Sequence, residues 1–281
     1  LVAASVPRER TGYAMGLLQV GLGSGVALGP LLGGLMADAF GYAAAFYSTA
    51  ALLFCAGVIV WRGVEEDARP SAARGGRPAG FRDGWRHVLT APGVGITYGL
   101  RFLCQLGRMM IVPVAPLFIQ TLLVDAERLN TFTGLVIGAA SAATTFSAVA
   151  LGRLGDRVGQ QRILTISALL AGLLYLPQGL VTAGWQLLIL QALVGVALGG
   201  IIPAISALLA RYTQVGEEGA VYGLDNSIDA AGRMVAPMMG AGVALWFGLR
   251  ATFAATALIF LAMGLLAARR LPRRGSAWSS S

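Results

Sequence analysis

Long apolar runs separated by short polar gaps make up most of the chain. Runs of spanning length cover 13–36, 42–61, 92–122, 132–151, 163–182, 185–210, 220–247 and 251–268. An α-helix crosses a bilayer's hydrocarbon core with roughly 20 such residues. Strands of a membrane barrel would instead read as segments of about ten residues with strict alternation, whereas these runs are continuous and rich in Leu, Ala and Gly. The pattern predicts an all-α membrane protein with eight transmembrane helices.

The polar gaps test that reading. Sorted alternately by side, one set of connections (1–12, 62–91, 152–162, 211–219 and 269–281) holds 16 of the 21 basic residues, and the other holds only Arg128 and Arg250. Arginine-rich connections face the cytoplasm, so a multi-pass protein of the cytoplasmic membrane is expected, with both ends of this chain inward. Trp61, Trp185 and Trp246 fall at run ends, where interfacial anchors belong. From Arg62 to Arg86 the chain is rich in Arg, Gly, Pro and Ala, includes Glu65, Glu66 and Asp67, and has no apolar period, as in a cytoplasmic linker. Trp85 and Leu89, beside Arg82 and Arg86, fit either a short surface helix or a solvated loop end. The organisation expected is two helices of one bundle (1–61), a linker (62–91), a six-helix bundle (92–270) and a cytoplasmic tail (271–281).

Composition narrows the function classes. With 56% apolar and 12% charged residues, and a mean hydropathy of +0.72, the chain is neither disordered nor an ordinary soluble domain. The basic residues behind the net charge of +8 are all Arg, and most of them fall in the gaps, a placement that suits membrane topology better than nucleic-acid binding. Cys55 and Cys104 lie inside apolar runs and read as packed thiols, and His87 stands alone in a polar loop. No metal, cofactor or enzymatic constellation is expected.

Shifting the chain by 207 residues lays Gly12, Gly16, Gly25, Pro30 and Gly33 on Gly219, Gly223, Gly232, Pro237 and Gly240, and Ala37, Gly41 and Phe46 on Ala244, Gly248 and Phe253. Coincident Gly and Pro at one offset mark shared backbone geometry. The first two spans therefore repeat as the seventh and eighth, with the same orientation, as in transporters built from parallel halves. If each half has six helices, about 115 residues carrying four helices are expected before Leu1. The chain would then be helices five to twelve of twelve.

These patterns resemble the major facilitator superfamily, specifically its twelve-helix drug:proton antiporters of the bacterial multidrug type. Gly21, Gly23, Gly25, Gly29, Pro30, Gly33 and Gly34 look like the family's Gly-Pro-x-x-Gly-Gly antiporter motif on helix five. The segment 152–162, with Gly152, Asp156, Arg157, Gly159 and Arg162, is similar to its cytoplasmic loop between helices eight and nine, although Gln160 and Gln161 stand where a basic residue is usual. Tyr222 to Gly240, including Gly223, Ser227, Gly232 and Pro237, looks like helix eleven of such pumps. The resemblance implies a monomeric secondary transporter that exchanges protons for small amphipathic drugs by rocking two bundles in the bilayer. The antiporter glycines would form a seam between the bundles, and Asp156 with Gly159 would form a cytoplasmic gate latch. The alternative within the same fold is transport of an endogenous metabolite.

Charges inside the runs are the most informative residues. Arg101, Gln105 and Arg108 share one face of the third span, and Asp225, Asp229 and Arg233 one face of the seventh. An ion at mid-bilayer costs at least about 2.5–3.5 kcal/mol, so these groups should face a cavity or one another. In the repeat, the counterparts of the second set are Leu18, Leu22 and Val26, so the fold does not itself require charges there. One Asp is expected to bind a proton or a cationic drug, with Arg233 or Arg108 tuning it; the competing reading is a static Asp229–Arg233 ladder. Gly195, Gly199, Gly200 and Pro203 mark either a hinge or close packing. Phe102, Met109, Met110 and Phe118 are candidates for an adaptable apolar pocket, though lipid-facing or core placement is the stronger expectation for any one of them.

Overall fold

The computed structural model describes residues 11–63, 93–123, 128–212 and 218–271. Among these it contains α1 (Thr11–Phe40), α2 (Tyr42–Gly63), α3 (Val94–Met110), α4 (Val114–Leu122), α5 (Leu129–Val158), α6 (Gln160–Tyr175), α7 (Gly184–Leu198), α8 (Ile201–Tyr212), α9 (Glu218–Phe247) and α10 (Leu249–Arg270), with a short 3₁₀ turn at Pro177–Leu180. Most of the expected linker, with His87 and the Trp85–Leu89 segment, and the tail beyond Leu271 lie outside the described residues.

Ten helices fill eight apolar runs because two runs break. Pro113 has no N–H to continue α3, and it caps α4 with φ −73°. The second break falls at Gly199 and Gly200, between α7 and α8. A Cβ at Gly199 would strike the Ser147 hydroxyl and the Thr144 carbonyl of α5, and one at Gly200 the Ser167 hydroxyl of α6. Gly195 likewise faces the Ala140 carbonyl. These glycines are close-packing positions.

Seven runs among the described residues are long and apolar enough to cross a membrane. The eighth, α9, is not among them; it carries Glu218, Asp225, Asp229 and Arg233. The repeat reappears in the helix bounds, since α1 and α9, and α2 and α10, begin and end 207 residues apart. Pro30 and Pro237 both lie within their helices, and the intervening turns use Gly41 and Gly248 at φ 82° and 88°, backbone that an L side chain adopts only with strain.

Apolar side chains of α3, α4, α6, α7, α8 and α10 form the main buried cluster, including Leu100, Phe118, Leu164, Val194, Ile201, Phe253 and Phe260. The Phe118 and Phe253 rings lie 4.8 Å apart, and Tyr175 stacks on Phe260. Phe118 and Met110 are thus core residues, with Phe102 and Met109 half-buried around a smaller cluster. In contrast, α2 buries no residue against the described part of the chain and displays Phe46, Leu52, Leu53 and Phe54. Cys104 is packed, but Cys55 is exposed on α2, contrary to the packing expected of it, and both thiols are free. Trp61, Trp185 and Trp246 are exposed at helix ends.

Candidate functional site

The charged faces of the third and seventh spans meet. α9 approaches α3 closely because Gly232 and Gly240 present no side chain: a Cβ at Gly232 would lie 3.0 Å from Gln105 Cβ, and one at Gly240 would strike the Met110 carbonyl. One turn or two below Gly232 on the same face are Asp229 and Asp225, both buried. Arg101 enters between them, with Nε 3.3 Å from Asp225 Oδ1 and Nη2 3.3 Å from Asp229 Oδ1. Asp229 also accepts a 2.8 Å hydrogen bond from Nε of Arg233, one turn along α9.

The two ends of this cluster differ. Arg233 Nε is aligned on Asp229, whereas Arg101 Nε and Asp225 Oδ1 lie buried without an aligned hydrogen bond, held by charge alone. Arg233 extends to an exposed surface and Arg101 stays mostly covered. Two cations balance two carboxylates, which offsets the desolvation that each ion would suffer alone. Gln105 lies one turn along α3 from Arg101, 2% exposed, and its amide nitrogen finds no hydrogen-bond partner among the described residues. Arg108, two turns along α3 from Arg101, reaches neither Asp, so the candidate cation for tuning them from α3 is Arg101 and not Arg108.

The seven motif glycine and proline positions on α1 divide by face, and a Cβ at Gly23 would crowd the Thr145 side chain of α5. Gly34 is buried, and a Cβ there would strike the Asn130 carbonyl of α5. Pro30 contributes its carbonyl, which lies against Gly134, and the Ala27 carbonyl lies against Gly138. The two backbones thus touch along a seam that needs glycine from both helices. At Gly21, Gly25, Gly29 and Gly33 an added Cβ meets nothing among the described residues.

The loop residues form a tight hairpin between α5 and α6. Gly159 joins the helices at φ 103°, and Gly155 leaves room for Gln160, whose Nε2 donates to Asp156 Oδ1 at 2.9 Å. Asp156 therefore meets a side-chain amide within this hairpin. Gln161 donates instead to the carbonyls of Ala267 and Leu271 at the end of α10, and Gly152 makes ordinary contact with Pro203 of α8. Arg162 borders a small cleft with Gln161, Thr165, Ile166 and Ala268.

Sequence reasoning missed Tyr98, whose hydroxyl donates to the Val221 carbonyl at 3.0 Å and ties α3 to α9 one turn from Asp225. It also missed Gly134 and Gly138, for which the small-x-x-x-small spacing was a usable signal, and Asp38, whose place near the end of an apolar run gave none.

The family model of the Major Facilitator Superfamily matches residues 1–122 and 97–280. The multidrug resistance protein MdtG of Dickeya zeae is 31% identical over 264 residues, covering 93% of the chain and 64% of that relative. The protein of the same name in Serratia proteamaculans is 33% identical over 261 residues, covering 93% and 63%. In Salmonella typhimurium the identity is 30% over 274 residues, covering 98% and 67%. The chain thus spans about two thirds of the length of these curated relatives.

Proposed function

The chain belongs to the major facilitator superfamily, and we propose that it is the larger part of a secondary transporter that exports small amphipathic drugs against entering protons. The observation that carries this reading is the balanced charge cluster of Arg101, Asp225, Asp229 and Arg233 inside the membrane. Its repeat-related counterpart helix has apolar residues at the three α9 positions, so a structural need for charge does not account for it. Kinship with proteins named for multidrug resistance supports the substrate class.

In this reading residues 1–61 and 92–270 belong to two bundles that rock about the α1–α5 seam, joined by the segment 62–91, with the arginine-rich connections and the tail in the cytoplasm. The transporter acts as a monomer. A proton taken up by Asp225 or Asp229 leaves Arg101 to the other carboxylate and frees charge to move with the helices. A cationic drug competes with Arg101 for the same carboxylates. The Asp156–Gln160 hairpin, with Gly152, Arg157, Gly159 and Arg162 around it, sits at the inward mouth as a gate element.

The test is accumulation of ethidium and a fluoroquinolone in pump-deficient cells expressing the full-length protein, with and without a protonophore. Reduced accumulation that the protonophore reverses supports proton-driven drug export. Unchanged accumulation, with the protein present in the membrane, assigns the substrate to endogenous metabolites instead. Asp225→Asn and Asp229→Asn that both leave export and its pH dependence untouched would remove these carboxylates from the pathway.

A further inference from the structure

At the end of the bundle opposite the arginine-rich connections, α5 starts without a side-chain cap of its own. Its first amide groups are satisfied from another helix. Asp38, on the last turn of α1, accepts from the Asn130 backbone N–H through Oδ1 at 3.3 Å and from the Thr131 N–H through Oδ2 at 2.6 Å. The Asn130 side chain donates to the same Oδ1 at 2.8 Å. One turn farther along the chain, the Tyr42 hydroxyl donates to Asn130 Oδ1 at 3.1 Å. A carboxylate receiving three N–H groups at a helix N-terminus gains both charge-assisted hydrogen bonds and the favourable end of the helix dipole. Immediately inward lies the contact of Gly34 with the Asn130 carbonyl.

We infer that Asp38 is the outer latch of the transporter: by capping α5 from α1 it holds the outer end of the seam shut, and it lets go when that end opens. Three features support a latch over simple packing. The bonds cross the seam between the two proposed bundles. They are concentrated at its extremity, where a rocking motion produces the largest separation. They depend on side chains that can release, whereas the glycine contacts farther inward are backbone against backbone and suit a pivot. Breaking the cap exposes amides that water can satisfy at a membrane surface, so opening is feasible without leaving buried orphans.

The inference rests on the alternating-access reading but not on the substrate. It is tested in the full-length protein with Cys55→Ser, spin labels at Phe40→Cys and Arg128→Cys, and inter-label distances by pulsed electron paramagnetic resonance without substrate. Asp38→Asn keeps the shape but turns an N–H donor toward the Thr131 N–H. It is expected to raise the ratio of long- to short-distance populations about tenfold, the effect of one lost charge-assisted bond. Asn130→Ala, which keeps the backbone donors, is expected to give a smaller rise, and it decides the matter if Asp38→Asn does not fold. Distance distributions identical to the parent in the folded variants overturn the latch. The labels read geometry and not export, so a failed drug assay leaves this measurement interpretable.

Discussion

Arg101 on α3 and Asp229 on α9 meet at 3.3 Å, a partly covered guanidinium against a buried carboxylate. Because the same guanidinium reaches Asp225, removing it leaves two carboxylates with only Arg233 between them. Arg101→Ala is expected to destabilise the full-length protein by about 3–5 kcal/mol, the range for breaking a buried ion pair from one side. Asp225→Asn is expected to cost far less, since Asp229 keeps both cations. Combining Arg101→Gln with Asp225→Asn should recover much of the loss by removing one charge of each sign. Thermal unfolding in detergent, read against membrane expression, checks the order; equal losses for the two single variants would contradict the shared role of Arg101.

Tyr98 locates α9 by another route. Its hydroxyl adds a second hydrogen bond to a Val221 carbonyl within α9, so Tyr98→Phe removes a donor without orphaning the helix. The expected stability loss is about 1 kcal/mol. Because the tie lies one turn from Asp225, the proposed drug export predicts a rate that falls more than the apparent affinity for drug changes. Transport kinetics of this variant in proteoliposomes separate the two quantities.

Much of the architecture was legible in the sequence because lipid permits few solutions: backbone polar groups must be satisfied within each helix, and apolar runs mark the helices. The repeat was legible because Gly41 and Gly248 need the same unusual backbone, and Pro30 and Pro237 the same tolerance. Pairing was not. That Arg101 and not Arg108 faces the two Asp residues follows from how close Gly232 and Gly240 let α9 come to α3, a tertiary fact with no local signature. Nor does the motif distinguish Gly33 from Gly34, adjacent residues on different faces of one helix. Asp38 was hidden for a related reason, as its partners lie 92 and 93 residues away.

Gly159 carries the turn between α5 and α6 at φ 103° with ψ 131°, where a Cβ is strained in any surroundings. Gly159→Ala is expected to cost about 1–3 kcal/mol and to disturb the Asp156–Gln160 bond that the turn brings together. Restoring the wild-type Gly should be the only rescue, because Asn and Asp tolerate the compact left-handed region but not this extended one. Unfolding temperatures of the Ala and Asn variants, expected to fall together, check the point.

The adjacent motif residues Gly33 and Gly34 give the sharpest test of the seam. A methyl group at Gly34 runs into the Asn130 backbone, which cannot rotate away as a side chain would, whereas at Gly33 it meets nothing among the described residues. Gly34→Ala is therefore expected to force α1 and α5 apart and to cost about 1–3 kcal/mol, as overpacking does. Gly33→Ala should be neutral, or stabilising by up to about 1 kcal/mol through helix propensity. Gly134→Ala, approaching the same seam from α5 against the Pro30 carbonyl, should behave like Gly34→Ala. The double variant should lose less than the sum of the two, because the first methyl already separates the helices that the second would push. Strict additivity in unfolding measurements would mean that the two glycines do not serve one contact, and the seam as described would be wrong.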